Sequence, residues 1–330
     1  MGKQQNKMIL TGVLVLLALT AVLALLLRGQ GEQLLSALGA LTPGDLLCLL
    51  LAGGAYQMTE AWICRTIVRT YIPRLSLFQA WKTVHLKVFG DVASFGTASI
   101  PMQMYYLHRS GMPAGAAMGL MTLEYAFHKG AVLLYATVML CAQWAWLLEY
   151  DRRVTEYLLP AYGLCALIIA ALVLVCVWPG LQQAVLWVVR RLPETGKWPG
   201  RKAKLQEQLL FLRRESRALF RNGPCCAKVA LLNGVKLFIL FSIPWLCAAL
   251  LGTPDPGFFR MQLLSSMLLL IAGVLPNVAG VGPTEFTFLL IFSGCLGTAD
   301  AALALLLYRA ATYYAPFLAS LYAFCTIQRK

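Results

Sequence analysis

Six stretches of this sequence are apolar over a length that can cross a lipid bilayer, and this feature constrains the fold more than any other. They occupy residues 8–27, 44–68, 114–148, 157–178, 229–251 and 300–327. A helix needs about 20 apolar residues to cross the hydrocarbon core, where the backbone must satisfy its own hydrogen bonds. Only 13% of the residues are charged, against about a quarter in soluble domains. We therefore predict an all-α polytopic membrane protein that forms a single integral membrane domain over residues 1–330.

The connection at residues 190–228 sets the orientation of these spans. It carries eleven lysines and arginines but only three glutamates. Because cytoplasmic connections of membrane proteins collect basic residues, we place this connection and both termini in the cytoplasm. We attribute the net charge of +14 to this topology rather than to nucleic-acid binding. Leucines among the basic residues of 204–220 predict an amphipathic helix that lies on the inner membrane surface.

Two further regions, 78–110 and 261–298, must each begin and end on one side of the membrane for this topology to close. Both have centres rich in glycine and proline, which interrupt helices. We predict about six full spans and two re-entrant helical hairpins of opposite orientation. Segments 44–148 and 229–327 then form an inverted repeat, an architecture of transporters that bind their substrate between such hairpins.

The second hairpin is interrupted by two prolines, two glycines and a carboxylate. These residues are Pro276, Gly280, Gly282, Pro283 and Glu285. Broken helices and charges at membrane depth are typical of transporter substrate sites. Pro283 can start a helix, whose first amide groups favour a nearby anion. We therefore predict that Glu285 lies in a substrate site.

Ionisable side chains at membrane depth are few and supply the remaining candidates. They are Glu60, Asp91, Glu124, His128, Lys129, Lys236, Glu285 and Arg309. Glu124 and His128 share one helix face, whereas Lys129 points about 100° further round. Each such group costs free energy at this depth unless it is paired or hydrated. For Glu60 and Lys236 the sequence favours a structural role.

Arg309 lies within the last span, next to Tyr308 and four residues before Tyr313. The two tyrosines and the guanidinium group predict a polar site on that helix. A structural ion pair between Arg309 and Glu285, which would hold the hairpin to the last span, is the alternative to a role in binding.

Two stretches resemble the signatures of one membrane-protein family. The first contains the break from residue 89, an aromatic run ending in Leu107-His108-Arg109-Ser110-Gly111, and Thr122-Leu123-Glu124. The second contains Leu275-Pro276, Gly280-Val281-Gly282-Pro283-Thr284-Glu285, Leu306-Leu307-Tyr308-Arg309 and Tyr313-Tyr314-Ala315-Pro316. They are similar to the membrane domain of lysylphosphatidylglycerol synthases, the flippase-like domain of MprF-type proteins. The resemblance covers residues 10–327 approximately.

The resemblance implies transfer of an aminoacylated phosphatidylglycerol, such as lysylphosphatidylglycerol, between the leaflets of a bacterial cytoplasmic membrane, and resistance to cationic antimicrobial peptides. The head of lysylphosphatidylglycerol carries a phosphate and two ammonium groups, so the path of this lipid needs side chains of both charge signs. Arg309, Lys129 and Lys236 are the candidates for the phosphate, and Glu285, Glu124, Asp91 and Glu60 for the ammonium groups. The substrate-binding set is Glu285, Arg309, Glu124, Asp91, Lys129, His128, Pro276, Gly280, Gly282, Tyr308 and Tyr313.

Two departures from the family pattern leave the headgroup open. The first signature usually has Glu-Arg with an aspartate three residues after the arginine. This chain has Glu124-Tyr125 and then His128. The second signature usually has an arginine before its glutamate, where this chain has Thr284. Both departures remove a cation beside a carboxylate.

Members of the family also carry a cytoplasmic, GNAT-like domain that transfers lysine from lysyl-tRNA. This chain ends at Lys330, directly after its last span, so we expect a transporter rather than an enzyme. Two alternatives stay open. One is a membrane partner or regulator of a separate cytoplasmic synthase, acting through residues 190–228. The other is a membrane enzyme that acts on a lipid-linked donor.

No catalytic residue is assigned, because the close acidic pair Glu149 and Asp151 has no histidine nearby. The cysteines and histidines lack the spacing of metal ligands, and no nucleotide-binding loop occurs. We therefore expect phospholipid and membrane as partners, without a metal, a cofactor or nucleic acid. A homo-oligomer is compatible with the sequence.

Overall fold

The computed structural model describes residues 39–328, except residues 95, 150–151, 192–197, 254–256 and 276–281. All regular structure in these residues is helical. In chain order the helices are α1 Pro43–Val68, α2 Leu77–Ala93, α3 Ser99–Arg109, α4 Ala114–Ala142, α5 Trp144–Glu149, α6 Arg152–Val177, α7 Pro179–Arg190, α8 Trp198–Arg221, α9 Gly223–Leu250, α10 Phe258–Ala272, α11 Pro283–Leu296, α12 Thr298–Arg309 and α13 Ala315–Gln328. A π-helical turn, Ala310–Tyr314, joins α12 to α13.

Five helical segments in the described residues are long and apolar enough to cross a membrane. They are Pro43–Val68, Ala114–Ala142, Leu158–Cys176, Gly223–Leu250 and Thr298–Ile327. Two shorter apolar helices, Phe258–Ala272 and Pro283–Leu296, accompany them. The prediction of an all-α polytopic membrane protein is thereby confirmed. The predicted span at residues 8–27 lies outside the described residues.

The helices differ from the sequence prediction at the end of α4 and at α7. The apolar stretch 114–148 continues as α4 only to Ala142, because the backbone leaves the helical conformation at Gln143 (φ −115°, ψ 21°). The short helix α5 follows this bend. Apolar residues continue through the bend, so the apolar pattern could not mark the end of α4. Helix α7, which begins at Pro179, was not predicted.

Local capping signals fix the starts of α1 and α2. At α1, the Asp45 amide donates to the Thr42 hydroxyl at 3.2 Å, and the Asp45 carboxylate accepts the Thr42 amide at 2.9 Å. At α2, the Gln79 amide donates to the Ser76 hydroxyl at 3.1 Å, and the Ser76 amide donates to the Gln79 side chain at 2.8 Å. These reciprocal bonds satisfy amide groups that a helix start leaves unpaired.

The two predicted hairpin regions are pairs of short helices that pack against each other, α2 with α3 and α10 with α11. In the first, the Ser94 hydroxyl donates to the Gly90 carbonyl at 2.6 Å and accepts the Ala98 amide at 2.6 Å. A Cβ atom at Gly90 would lie 2.5 Å from the Ala98 carbonyl oxygen, so this close approach requires glycine. The orientation of both hairpins in the membrane stays a prediction.

The two segments of the predicted repeat pack with matching contacts. Their first helices, α1 and α9, lie antiparallel. Glu60 meets Lys236 near the two centres, and the Cys225 sulfur at the start of α9 lies 4.0 Å from the Thr66 carbonyl oxygen near the end of α1. Helix α2 packs on α13, and α10 packs on α4, so each hairpin contacts the last helix of the other segment. This pattern is the one expected from the inverted repeat, which stays a prediction.

Helix α8 occupies the region for which an amphipathic helix was predicted. It packs on α4, where a Cβ atom at Gly115 would overlap the Phe211 ring, and it buries Leu212. Tyr71, in the connection from α1 to α2, donates a hydrogen bond to the buried Glu215 at 2.6 Å. Burial raises the pKa of Glu215, and loss of solvation raises the pKa of Tyr71 to about 12.

Candidate functional site

Charged side chains from three helices meet inside the bundle. The Glu60 carboxylate of α1 accepts hydrogen bonds from Lys236 of α9 at 2.7 Å and from Lys87 of α2 at 3.1 Å. The Lys236 and Glu60 side chains are 2% and 8% exposed, so each charge depends on the other for compensation. The structure thus pairs the two residues for which the sequence favoured a structural role.

Lys87 is a member of this cluster that the sequence analysis missed. It stands four residues before Asp91 on α2, a spacing that brings two side chains onto one helix face. This spacing was the signal in the sequence that could have identified Lys87. A predicted break follows directly, however, so the residues could not be assumed to be helical. Asp91 is partly buried in the last turn of α2 and interacts electrostatically with Lys87.

Glu124 and His128 of α4 face the same cluster. Both carboxylate oxygens of Glu124 and the Nδ1 atom of His128 are buried without a hydrogen-bond partner among the described residues. Glu124 interacts electrostatically with Glu60, Lys87 and Lys236. A buried carboxylate without a hydrogen bond is costly, so its oxygens are available to a cation or to water.

Lys129 points toward the break of the second hairpin instead. Its ammonium group donates to the Gly273 carbonyl oxygen at 3.0 Å and lies 5.4 Å from the centre of the Tyr125 ring. Gly273 follows the last residue of α10, where free carbonyl groups attract a cation. A Cβ atom at Gly273 would overlap the Lys129 ammonium group. Lys129 therefore diverges from Glu124 and His128, as their spacing on the helix predicts.

Glu285 is held at the start of α11. Its Oε2 atom accepts the Gly282 amide at 2.6 Å, and its Oε1 atom lies 2.5 Å from Nη2 of Arg309. Pro283 is the first residue of α11, and Gly282 has φ +102°, a conformation natural for glycine. The ion pair joins α11 to the end of α12, which is the structural alternative that the sequence left open.

The helix is distorted directly after this ion pair. Residues 310–314 form the π turn, and such turns are frequent at functional sites. The turn packs closely on α1, where a Cβ atom at Gly53 would overlap the Ala311 carbonyl oxygen. The Arg309 guanidinium group lies 5.2 Å from the centre of the Tyr313 ring, one turn further on.

Tyr313 lies near the end of α2 and the start of α11. It interacts electrostatically with Asp91, at the end of α2, and with Glu285, at the start of α11. Tyr308 is buried and packs on Phe288 of α11, with 5.5 Å between the ring centres. The end of α2 and the start of α11 therefore both lie near the last span.

Apart from Lys129, which binds the Gly273 carbonyl after α10, the charged candidates thus fall into two groups of both charge signs, one around Glu60 and one around Arg309. Candidates Pro276 and Gly280 lie outside the described residues. No three histidine, cysteine, aspartate or glutamate side chains in the described part of the chain are placed to hold a metal ion. The arrangement can bind a charged ligand at membrane depth.

A family model described as "Lysylphosphatidylglycerol synthase TM region" matches residues 9–320. The matched range contains both hairpins and all of the charged residues described above. No curated protein matches the chain.

Proposed function

Because the chain belongs to the lysylphosphatidylglycerol synthase TM-region family, we propose that it is a phospholipid translocase that moves aminoacylated phosphatidylglycerol between leaflets. Lysylphosphatidylglycerol is the proposed cargo. In a bacterial cytoplasmic membrane this transfer lowers the negative charge of the outer surface and the attraction for cationic antimicrobial peptides. The distribution of basic residues supports cytoplasmic termini.

The unpartnered Glu124 carboxylate is the observation that carries this proposal. Glu60 is already shared by two lysines, whereas both oxygens of Glu124 are buried without a hydrogen bond among the described residues. An ammonium group on the lipid head supplies the missing counter-charge and hydrogen bonds. Lys87, whose side chain is 33% exposed and which interacts electrostatically with Glu124, is the nearby candidate to receive the phosphate.

The second charged group has a different role in this proposal. Glu285 and Arg309 are engaged with each other, and Glu285 also holds the Gly282 amide. We assign this pair, with the break that contains Pro276 and Gly280, to the attachment of the second hairpin to the last span. Releasing the ion pair would let the hairpin move.

Alternating access between the leaflets rests on the proposed inverted repeat of residues 44–148 and 229–327. The antiparallel packing of α1 on α9 supports it, as does the contact of each hairpin with the last helix of the other segment. Transporters with inverted repeats bind substrate between paired broken helices and expose it to each side in turn.

Lipid translocation by the purified protein in proteoliposomes tests the proposal. Glu124→Gln removes the charge but keeps the size of the side chain. We expect the transfer rate of headgroup-labelled lysylphosphatidylglycerol to fall by about tenfold or more. Glu149→Gln is the matched control, because Glu149 is exposed at the end of α5. It should leave the rate unchanged.

Three outcomes bear on the proposal. If folded wild-type protein leaves both lysylphosphatidylglycerol and phosphatidylglycerol in their original leaflet, the chain is not a translocase for these lipids. Equal rates for Glu124→Gln and wild type would remove Glu124 from the path. Loss of transfer in Glu285→Ala and Arg309→Ala, with the fold retained, would support the role of the hairpin attachment.

A further inference from the structure

The ammonium group of Lys129 is buried without a carboxylate to compensate its charge. The residue is 9% exposed, and none of the ion pairs among the described residues includes it. It also lies near a like charge, since it interacts electrostatically with Lys87. A cation at membrane depth is costly without a counter-charge. Its position therefore requires an explanation other than an ion pair.

The described contacts of this ammonium group are with neutral groups. It donates to the Gly273 carbonyl oxygen at 3.0 Å and lies over the Tyr125 ring, 5.4 Å from its centre. Gly273 follows the last residue of α10, where free carbonyl groups form the negative end of the helix dipole. An aromatic ring attracts a cation to its face. A carbonyl oxygen and a ring together can thus recognise an ammonium group without an opposite charge.

Gly273 makes room for this ammonium group. Its backbone (φ −76°, ψ −9°) lies in the right-handed helical region, which all residues adopt, so the backbone does not require glycine here. A Cβ atom would overlap the Lys129 ammonium group and would lie 2.7 Å from the Leu269 carbonyl oxygen. The absence of a side chain thus leaves space for a cation beside the end of α10.

This position adjoins the residues that we propose to bind the lipid head. Lys87, the candidate for the phosphate, interacts electrostatically with both Glu124 and Lys129. It also interacts with Tyr125. The proposed cargo carries two ammonium groups, and Glu124 accounts for one of them. The end of α10 offers a position for the other.

We propose that the end of α10 is a binding position for a primary ammonium group of the cargo, and that Lys129 occupies it until the lipid head takes its place. This inference rests on the proposed function and assigns the second ammonium group of the aminoacylated head. The Lys129 side chain ends in the same chemical group as a lysyl head, so both can make the same contacts. The lipid also carries a phosphate, so the exchange brings a counter-charge to a position that lacks one here.

Binding of a free primary amine tests the ammonium position. Lys129→Met removes the charge, keeps the length of the side chain and leaves the Gly273 carbonyl without its donor. With the purified full chain in neutral detergent, n-butylammonium chloride should raise the thermal midpoint of Lys129→Met by about 2 °C or more relative to sodium chloride. Wild type should not respond, because its own ammonium group fills the position. Lys129→Ala should respond as Lys129→Met does.

Tyr135→Phe is the matched control. It removes another hydrogen bond between α4 and α10, which the Tyr135 hydroxyl donates to Gln262 at 2.8 Å, but it leaves Lys129 in place. Its midpoint should not respond to the amine. An equal response of Tyr135→Phe, or no response of Lys129→Met and Lys129→Ala, overturns the proposal.

Lipid binding tests whether the position belongs to the cargo. Native mass spectrometry counts the lysylphosphatidylglycerol and phosphatidylglycerol bound to Lys129→Met. n-Butylammonium should weaken the binding of lysylphosphatidylglycerol by about fivefold or more and leave that of phosphatidylglycerol unchanged. A rise in midpoint without this selective competition shows an amine site unrelated to the cargo and overturns the assignment. If both results hold but proteoliposomes show no transfer of either lipid, the translocase proposal fails, and the position at the end of α10 stands as a binding position for the lipid head.

Discussion

Glu60 pairs with two lysines that are buried to different degrees. This difference decides how much a substitution at Glu60 or Lys236 changes the free energy of unfolding. The Lys236 side chain is 2% exposed and the Lys87 side chain 33%. A charge left alone in the interior costs far more free energy than one that can reach water. The loss of Glu60 and the loss of Lys236 should therefore differ in their effect on stability.

Glu60→Gln should lower the free energy of unfolding in detergent by about 3 kcal/mol or more, because Lys236 loses its counter-charge. Lys236→Met should cost less, since Glu60 keeps Lys87. Denaturant titration followed by circular dichroism measures both. The double variant Glu60→Gln/Lys236→Met should regain part of the loss of Glu60→Gln. Additive losses would mean that the pair is not energetically coupled.

At this scale the sequence could identify the candidates but not their partners. Charge at membrane depth selected Glu60, Lys236, Glu285 and Arg309 because it is costly there without a functional or structural reason. The pairing of Glu60 with Lys236 depends on how α1 and α9 pack, and the two residues are 176 positions apart, so no local pattern encodes it. Lys87 was missed because it stands just before a predicted break, where the spacing to Asp91 could not be taken as helical.

Adjacent glycines on α1 offer a direct test of the packing between α1 and the π turn. A Cβ atom at Gly53 would overlap the Ala311 carbonyl oxygen, whereas nothing lies within 4 Å of one at Gly54. Gly53→Ala should therefore destabilise the protein by about 1–3 kcal/mol. Gly54→Ala should be neutral or stabilising, because alanine favours the helix. Equal thermal midpoints for the two variants would contradict this packing.

The docking of α8 should depend on pH through Glu215. Burial raises the pKa of this carboxyl above its ordinary value, so the docked state favours the protonated form. Its contribution to docking is full below the ordinary pKa of glutamate and is lost as the pH rises through the raised pKa. Hydrogen-exchange protection factors of α8 should therefore fall with rising pH.

Two variants on α8 separate this effect from a general response to pH. Glu215→Gln should remove the decrease in protection, because the amide does not titrate. Glu207→Gln should keep it, since Glu207 is exposed on the same helix. A similar pH response in wild type and Glu215→Gln would assign the change to another group.

The elements themselves were predictable to the extent that local signals define them. The spans followed from apolarity, and the start of α11 followed from Pro283. The end of α4 and the π turn could not be read, because apolar residues continue through both. The Ala311 backbone of the π turn packs directly on Gly53 of α1. This contact joins distant parts of the chain.

The proposed inverted repeat makes a prediction for the whole molecule. Ala114 and Thr298 are the first residues of α4 and α12 and are both exposed. In the proposed repeat they occupy equivalent places. In a variant without the ten native cysteines, Ala114→Cys should react with an impermeant maleimide only from the cytoplasmic side. Thr298→Cys should react only from the outside. Labelling of both from one side would rule out the inverted arrangement.

At the level of the molecule, charge distribution yields a topology but not the way in which its parts pack. The basic connection orients every span by alternation, since each crossing reverses the side. Which helix each hairpin contacts depends on the complementary shapes of side chains far apart in sequence. The stacking of Phe89 on Phe324, with 4.0 Å between ring centres, is one such contact between α2 and α13.

The carboxylate of Glu60 also has a mechanical consequence. Glu60 belongs to the first segment and Lys236 to the second, so pulling the segments apart along α1 and α9 would leave the Lys236 charge without a partner in an apolar interior. In the proposed transport cycle this seam therefore stays closed. The hairpins on either side of it move instead, while α1 and α9 keep their positions relative to each other.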